Sequence, residues 1–151
     1  MITATTTENR NVRVFNEWIS AHRAHDLDAL LTYVTDDITI QSAAGKNMPP
    51  ASGKTEAREH WETIFSTFPD MRMDAIELVV QGDRIAAVIS HGGTMKGEMG
   101  DKKPTGKQYR TDGVFRIDFQ DGKIRSIRSY WDTASMLGQL GLLLPSPAPA
   151  S

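Results

Sequence analysis

Along the first half of the chain, apolar residues recur at three- and four-residue spacing; along the second half they alternate with polar ones. In "TENRNVRVFNEWISAHRAH" the residues Val14, Phe15, Trp18, Ile19 and His22 form a one-sided stripe, which predicts a first helix with Thr7 as its N-cap. "HDLDALLTYVTDD" predicts a second helix, capped by Asp26, with Leu27, Leu30, Leu31 and Val34 turned inward. "ITIQS" (38–42) is too short for anything but a strand, and "AAGKNMPPASG" is a loop rich in glycine and proline. A third helix is expected from about Thr55 through His60, Trp61, Ile64, Phe65 and Phe68, stopped at Pro69.

The remainder reads as strands. Two runs in "MDAIELVVQGDRIAAVISHGG" join at Gln81-Gly82-Asp83, a hairpin signal. Two more in "GKQYRTDGVFRIDFQDGKIRSIRSYW" join at Asp121-Gly122, a pair suited to a tight turn. Between them, Tyr109, Thr111, Gly113, Phe115, Ile117 and Phe119 share the face expected to meet the core, and Arg110, Asp112, Val114, Arg116 and Asp118 share the other. Helices followed by a strand meander argue an α+β domain with the helices on one face of a curved sheet.

Composition narrows the function classes. At 151 residues the chain has the size of one domain with a single core: an expected flexible N-terminus over 1–7, a domain over 8–144, and a proline-rich tail over 145–151. The net charge of −2 comes from 17 basic and 19 acidic side chains scattered in both signs, which leaves no basic stripe for a nucleic-acid partner. Cysteine is absent, excluding disulfides and thiolate chemistry. The histidines at 22, 25, 60 and 91 lack ligand spacing, so no metal is expected. The polar start lacks the regions of a signal peptide, and no apolar run approaches membrane-spanning length; the expectation is a cytoplasmic protein with no membrane partner.

The segments "HDLDALLTYVTDDITI", "GKTEAREHWETIFSTFPDM", "GGTMKGEMGDKKPTGK", "DGVFRI", "DGKI" and "YWDTASMLGQLGLL", in this order, resemble the SnoaL-like polyketide cyclases. That family belongs to the group sharing the nuclear transport factor 2 fold, with ketosteroid isomerase and limonene epoxide hydrolase. The resemblance implies a cone-shaped fold with a curved antiparallel or mixed sheet covered by N-terminal helices. It further implies a deep apolar pocket that handles carbonyl or epoxide substrates without a cofactor, and a homodimer. It also exposes departures from the family. The last-strand position where the family usually carries a proton-moving aspartate is Ser129, and the position two residues earlier, often histidine, is Ile127. The family's Gly-Thr-His reads Gly93-Thr94-Met95; the first-strand position where ketosteroid isomerase keeps its base reads Gln41-Ser42, and that enzyme's helix-1 tyrosine position reads Phe15. A serine hydroxyl takes no proton from a carbon acid unless another base activates it.

The expected catalytic residues are therefore His91, Tyr109 and Asp132. Alternation along 85–95 sets His91 beside Ile89 and Met95 on the face the resemblance assigns to the pocket. An imidazole near its ordinary pKa of about 6.5 suits proton transfer, worth on the order of 10²–10⁴ in rate; the competing reading is a hydrogen-bonded core histidine. Tyr109 is a candidate donor to a substrate oxygen. Asp132, just before "TASMLGQL", reads first as a helix cap and second as a catalytic acid. The expected substrate wall combines Trp18, Trp61, Phe65, Met95, Phe115, Ile127 and Trp131, which suits a flat apolar ligand. Tyr33, Gln41 and Ser129 are expected to contact its oxygen atoms, and His22, on the buried stripe of the first helix, is expected at the pocket mouth or in the helix packing. Together these predict a cofactor-independent cyclase or isomerase acting on a hydrophobic carbonyl-bearing molecule. The alternatives are epoxide opening, shape-steered cyclisation, or ligand binding without turnover.

Overall fold

The computed structural model describes residues 5–43 and 49–143. Helix α1 (Thr6–Arg23) starts earlier than its stripe implied, because Thr5, not Thr7, is its cap. Thr5 Oγ1 accepts from the Glu8 amide at 3.0 Å, and Glu8 Oε1 accepts from the Thr5 amide at 2.8 Å. This reciprocal box satisfies two otherwise orphaned donors, so residues 5–7, expected in a loose terminus, cap the helix and begin it. Asp26 caps α2 (Leu27–Thr32) as predicted, its Oδ1 accepting from the Ala29 amide at 3.0 Å. That helix stops short of Val34, which opens β1 (Val34–Ser42) and pairs with Ile124. Val34 and Thr35 are β-branched, and a ladder partner 90 residues downstream outweighs the local helical spacing.

The glycine- and proline-rich loop contains β2 (Ala51–Ser52), paired to β1 through Ile40 and Ala51. Helix α3 (Gly53–Thr67) follows directly. Hairpin β3 (Arg72–Gln81) and β4 (Arg84–Thr94) turns at Gly82, φ +55°. Hairpin β5 (Gln108–Gln120) and β6 (Lys123–Trp131) turns at Asp121 and Gly122, both at positive φ as a tight primed turn requires. Helix α4 (Thr133–Gln139) comes last; the expected tail over 145–151 lies outside the described residues.

The strands form one curled sheet in the order β2-β1-β6-β5-β4-β3, with β1 parallel to β6 and every other pairing antiparallel. Alternation on β5 runs as predicted: Tyr109, Gly113, Phe115, Ile117 and Phe119 are buried, while Arg110, Asp112 and Val114 are exposed. The main core packs Phe15, Trp18 and Ile19 of α1 with Trp61 of α3 and the inward residues of the sheet. A smaller core gathers Phe68, Met71, Met95, Tyr109 and Leu140. Buried Asn11 ties α1 to the first hairpin, its Nδ2 donating to Asp83 Oδ1 at 2.9 Å. Among the described residues no helix is long and apolar enough to cross a membrane.

Candidate active site

The strand β6 presents Ile127, Ser129 and Trp131 at alternate positions toward the helices, and all three line a narrow, partly open hollow. Helix α1 contributes Trp18 and His22, one turn apart on its buried stripe; α3 contributes His60, Trp61 and Ile64. Ile40, Met73 and Phe115 complete the sheet side. The cavity measures about 20 Å³, room for roughly one water molecule. The deep pocket implied by the resemblance is thus filled by its own aromatic walls: Trp18 lies with its ring centroid 6.4 Å from both Trp61 and Phe115, and Phe115 lies 5.8 Å from Trp131.

His91 sits behind this hollow, fully buried on β4, with its ring centroid 3.9 Å from that of Trp131. Its Nδ1 is 2.9 Å from the Tyr109 hydroxyl, which also lies 3.9 Å from Met71 Sδ. Its Nε2 is buried with no hydrogen-bond partner. When Tyr109 donates to Nδ1, Nε2 carries the ring proton; when Nδ1 donates to Tyr109, Nε2 carries the lone pair. One contact therefore serves either an acid or a base at Nε2. Gly113 makes space there: a Cβ at that position would stand 3.6 Å from Nε2 and only 2.8 Å from the backbone oxygen of Tyr130.

Burial sets the charge state. It pushes His91 down to about 4, His60 to about 4, and His22 to about 3, the last helped by neighbouring His25 and His60. All three are neutral near pH 7. Burial, and behind it the charge of Asp70, raises the Tyr109 hydroxyl well above its ordinary value, so it stays protonated.

The remaining expected residues divide cleanly. His91 and Tyr109 come together as a dyad; Trp18, His22, Trp61, Phe115, Ile127, Ser129 and Trp131 come together at the hollow. Phe65 stands one ring behind it, edge-on to His22 at 5.1 Å and stacked on His25 at 4.1 Å. Asp132 is exposed and caps α4, its Oδ1 accepting from the Ser135 amide at 3.0 Å; a side chain committed to the helix end is not in the site. Gln41 is exposed, 3.4 Å from Arg128 Nη1, because the inward positions of β1 are Ile38 and Ile40. Tyr33 ends α2 and lines a separate surface groove beside α1. Met95 belongs to the smaller core. His60, not among the expected site residues, lines the hollow; its signal was the position next to Trp61 on the inward stripe of α3. Among the described residues no three histidine or carboxylate side chains gather as metal ligands.

A curled sheet closed by N-terminal helices around a neutral, aromatic-walled hollow defines the nuclear transport factor 2-like class of α+β proteins. Within it, the family model "SnoaL-like polyketide cyclase" matches residues 12–140, and the chain belongs to that family. A candidate SnoaL-like polyketide cyclase from Jannaschia sp. CCS1 superposes with a TM-score of 0.85 at 16% identity, covering 96% of this chain and 100% of that one. IdmH, a candidate polyketide cyclase from Streptomyces antibioticus, gives 0.74 at 23% identity over 87% and 98% of the two chains. A protein with a ketosteroid isomerase-like fold from Catenulispora acidiphila, in complex with trimethylamine, gives 0.74 at 18% over 87% and 97%. At these identities the likeness is one of fold. No curated sequence matches the chain.

Proposed function

We propose that the protein is a cofactor-independent cyclase or isomerase of the cytoplasm that moves a proton on a hydrophobic, carbonyl-bearing small molecule, with His91 as its acid–base group and Tyr109 as the residue that positions it. The supporting observation is the imidazole held at Nδ1 by Tyr109, 2.9 Å away, and left without a partner at buried Nε2. An unpartnered buried nitrogen costs about 1–3 kcal/mol, a cost that a plain core histidine avoids. Family membership supports the cyclase or isomerase class. The substrate must widen the hollow to enter, past its half-buried liners His60, Ile64 and Trp131. The proposed form is a homodimer: the outward sheet face exposes Ile76, Val79, Val114 and Tyr130, apolar surface of the kind that marks an interface. A monomer in light scattering would remove that part.

Proton transfer is testable without knowing the product. In D₂O the protein is expected to speed deuterium exchange α to the carbonyl of 1-tetralone, followed by NMR. His91→Ala should lower that rate by about 10²–10⁴ while circular dichroism stays unchanged. A variant that exchanges at the wild-type rate would remove His91 from the mechanism.

A further inference from the structure

We infer that Trp18 and His22 of α1 form a binding site for an uncharged oxygen function of the ligand, a ketone or a hydroxyl, on the α1 side of the hollow. This rests on the small-molecule reading above and adds the group by which the ligand is selected.

Both side chains are about 99% buried, at 1% exposure each, and both line the hollow. Among the described residues the Trp18 indole N–H lacks a hydrogen-bond partner, and His22 Nδ1 has none beyond its own backbone. They lie one helical turn apart on the same stripe, ring centroids 5.7 Å apart, edge to face. An indole nitrogen only donates, whereas an imidazole nitrogen donates or accepts according to tautomer. A ketone oxygen therefore matches the pair by accepting twice; a hydroxyl matches by accepting from Trp18 and donating to His22. Unpartnered polar atoms on Trp18 and His22, with that of Trp131 across the hollow, discriminate within a mainly apolar wall, because a ligand without oxygen leaves them desolvated and unpaired.

The same surroundings reject charge. Among the described residues, aromatic, aliphatic and methionine side chains, one serine and two imidazoles stand around the hollow, and no Lys, Arg, Asp or Glu. Ser129 is already turned toward the Gln41 carbonyl, 3.5 Å away. A carboxylate brought there loses its hydration and finds no cation. From this side a row of rings leads toward the acid–base group: Trp18 to Phe115 at 6.4 Å, Phe115 to Trp131 at 5.8 Å, and Trp131 to His91 at 3.9 Å between centroids.

The test compares four probes on one skeleton, 9-fluorenone, 9-fluorenol, fluorene and fluorene-9-carboxylate, by calorimetry on the full chain. Fluorenone or fluorenol is expected to bind at least about tenfold more tightly than fluorene, and more tightly than the carboxylate. Which of the two binds better tells ketone from hydroxyl. The chain has three tryptophans, so three indole N–H signals report in ¹⁵N spectra; the Trp18 signal should move with the preferred probe and not with fluorene. Trp18→Phe should abolish the discrimination. If that variant fails to fold, benzothienylalanine at position 18 keeps the shape and removes only the N–H. Equal affinity for fluorene and both oxygenated probes, no binding of any probe, or tightest binding of the carboxylate overturns the inference. His91→Ala should leave the discrimination intact, so loss of proton transfer and loss of oxygen selection are separate failures.

Discussion

Acid should weaken this fold before its carboxylates titrate. His22 and His91 are 1% and 0% exposed, and burial holds them neutral, at about 3 and about 4. In the unfolded chain both return to about 6.5. As pH falls, the unfolded state takes up protons first, so the stabilisation is whole above about 6.5 and is lost on the way down to the folded-state values. At pH 5 each histidine has cost about 2 kcal/mol, about 4 kcal/mol for the two, against a total stability of about 5–15 kcal/mol. His60, half-buried and pushed down to about 4, acts in the same direction. Asp70, held low chiefly by the Thr94 amide and then by its hydroxyl, and Asp74, held low chiefly by Arg72, lose their contributions only at lower pH. The assay is urea unfolding followed by tryptophan fluorescence at steps from pH 8 to 5. His22→Phe should remove about half of the decline attributed to the two buried rings. A wild-type stability that changes by less than about 1 kcal/mol over this interval would refute the argument that these imidazoles are buried and neutral.

Tyr109→Phe leaves His91 Nδ1 unpartnered; it should cost about 1–3 kcal/mol in urea unfolding and change the pH profile of α-proton exchange, not only its height. Gly113→Ala drives a methyl to 2.8 Å from the Tyr130 backbone oxygen, and a fall in Tm equivalent to about 1–3 kcal/mol is expected. Asp132→Ala removes the α4 cap at a cost of about 1 kcal/mol and should leave exchange at the wild-type rate; a catalytic loss would return Asp132 to the site. Ser129→Ala should change exchange little, since the hydroxyl already faces the Gln41 carbonyl.

Much of the site was legible in alternation. Because successive residues of a strand face opposite ways, Ile127, Ser129 and Trp131 had to share a wall, and His91 had to lie inside with Ile89. The stripe on α1 likewise placed Trp18 and His22 on one buried face. Alternation predicts a side, not a neighbour. Gln41 looked equivalent to the residues around it until the parallel pairing of β1 with β6 turned Ile40 inward and Gln41 out. Asp132 had two local readings, and the start of α4 decided between them. His60 was visible on its stripe, but its role at the hollow depends on how α3 sits against the sheet.

By itself the amino-acid order determined most of the elements and the inward faces of the long strands and of α1, since these follow from local periodicity; the serine at the family's aspartate position was legible through the resemblance. The tertiary structure alone decided that the walls close to a space of about 20 Å³, that Tyr109 reaches His91 across 18 residues of chain, and that, among the described residues, four ring nitrogens, on Trp18, His22, His91 and Trp131, find no partner beyond their own backbone. Packing volume and hydrogen-bond pairing depend on which distant side chains meet, and no local pattern carries that information.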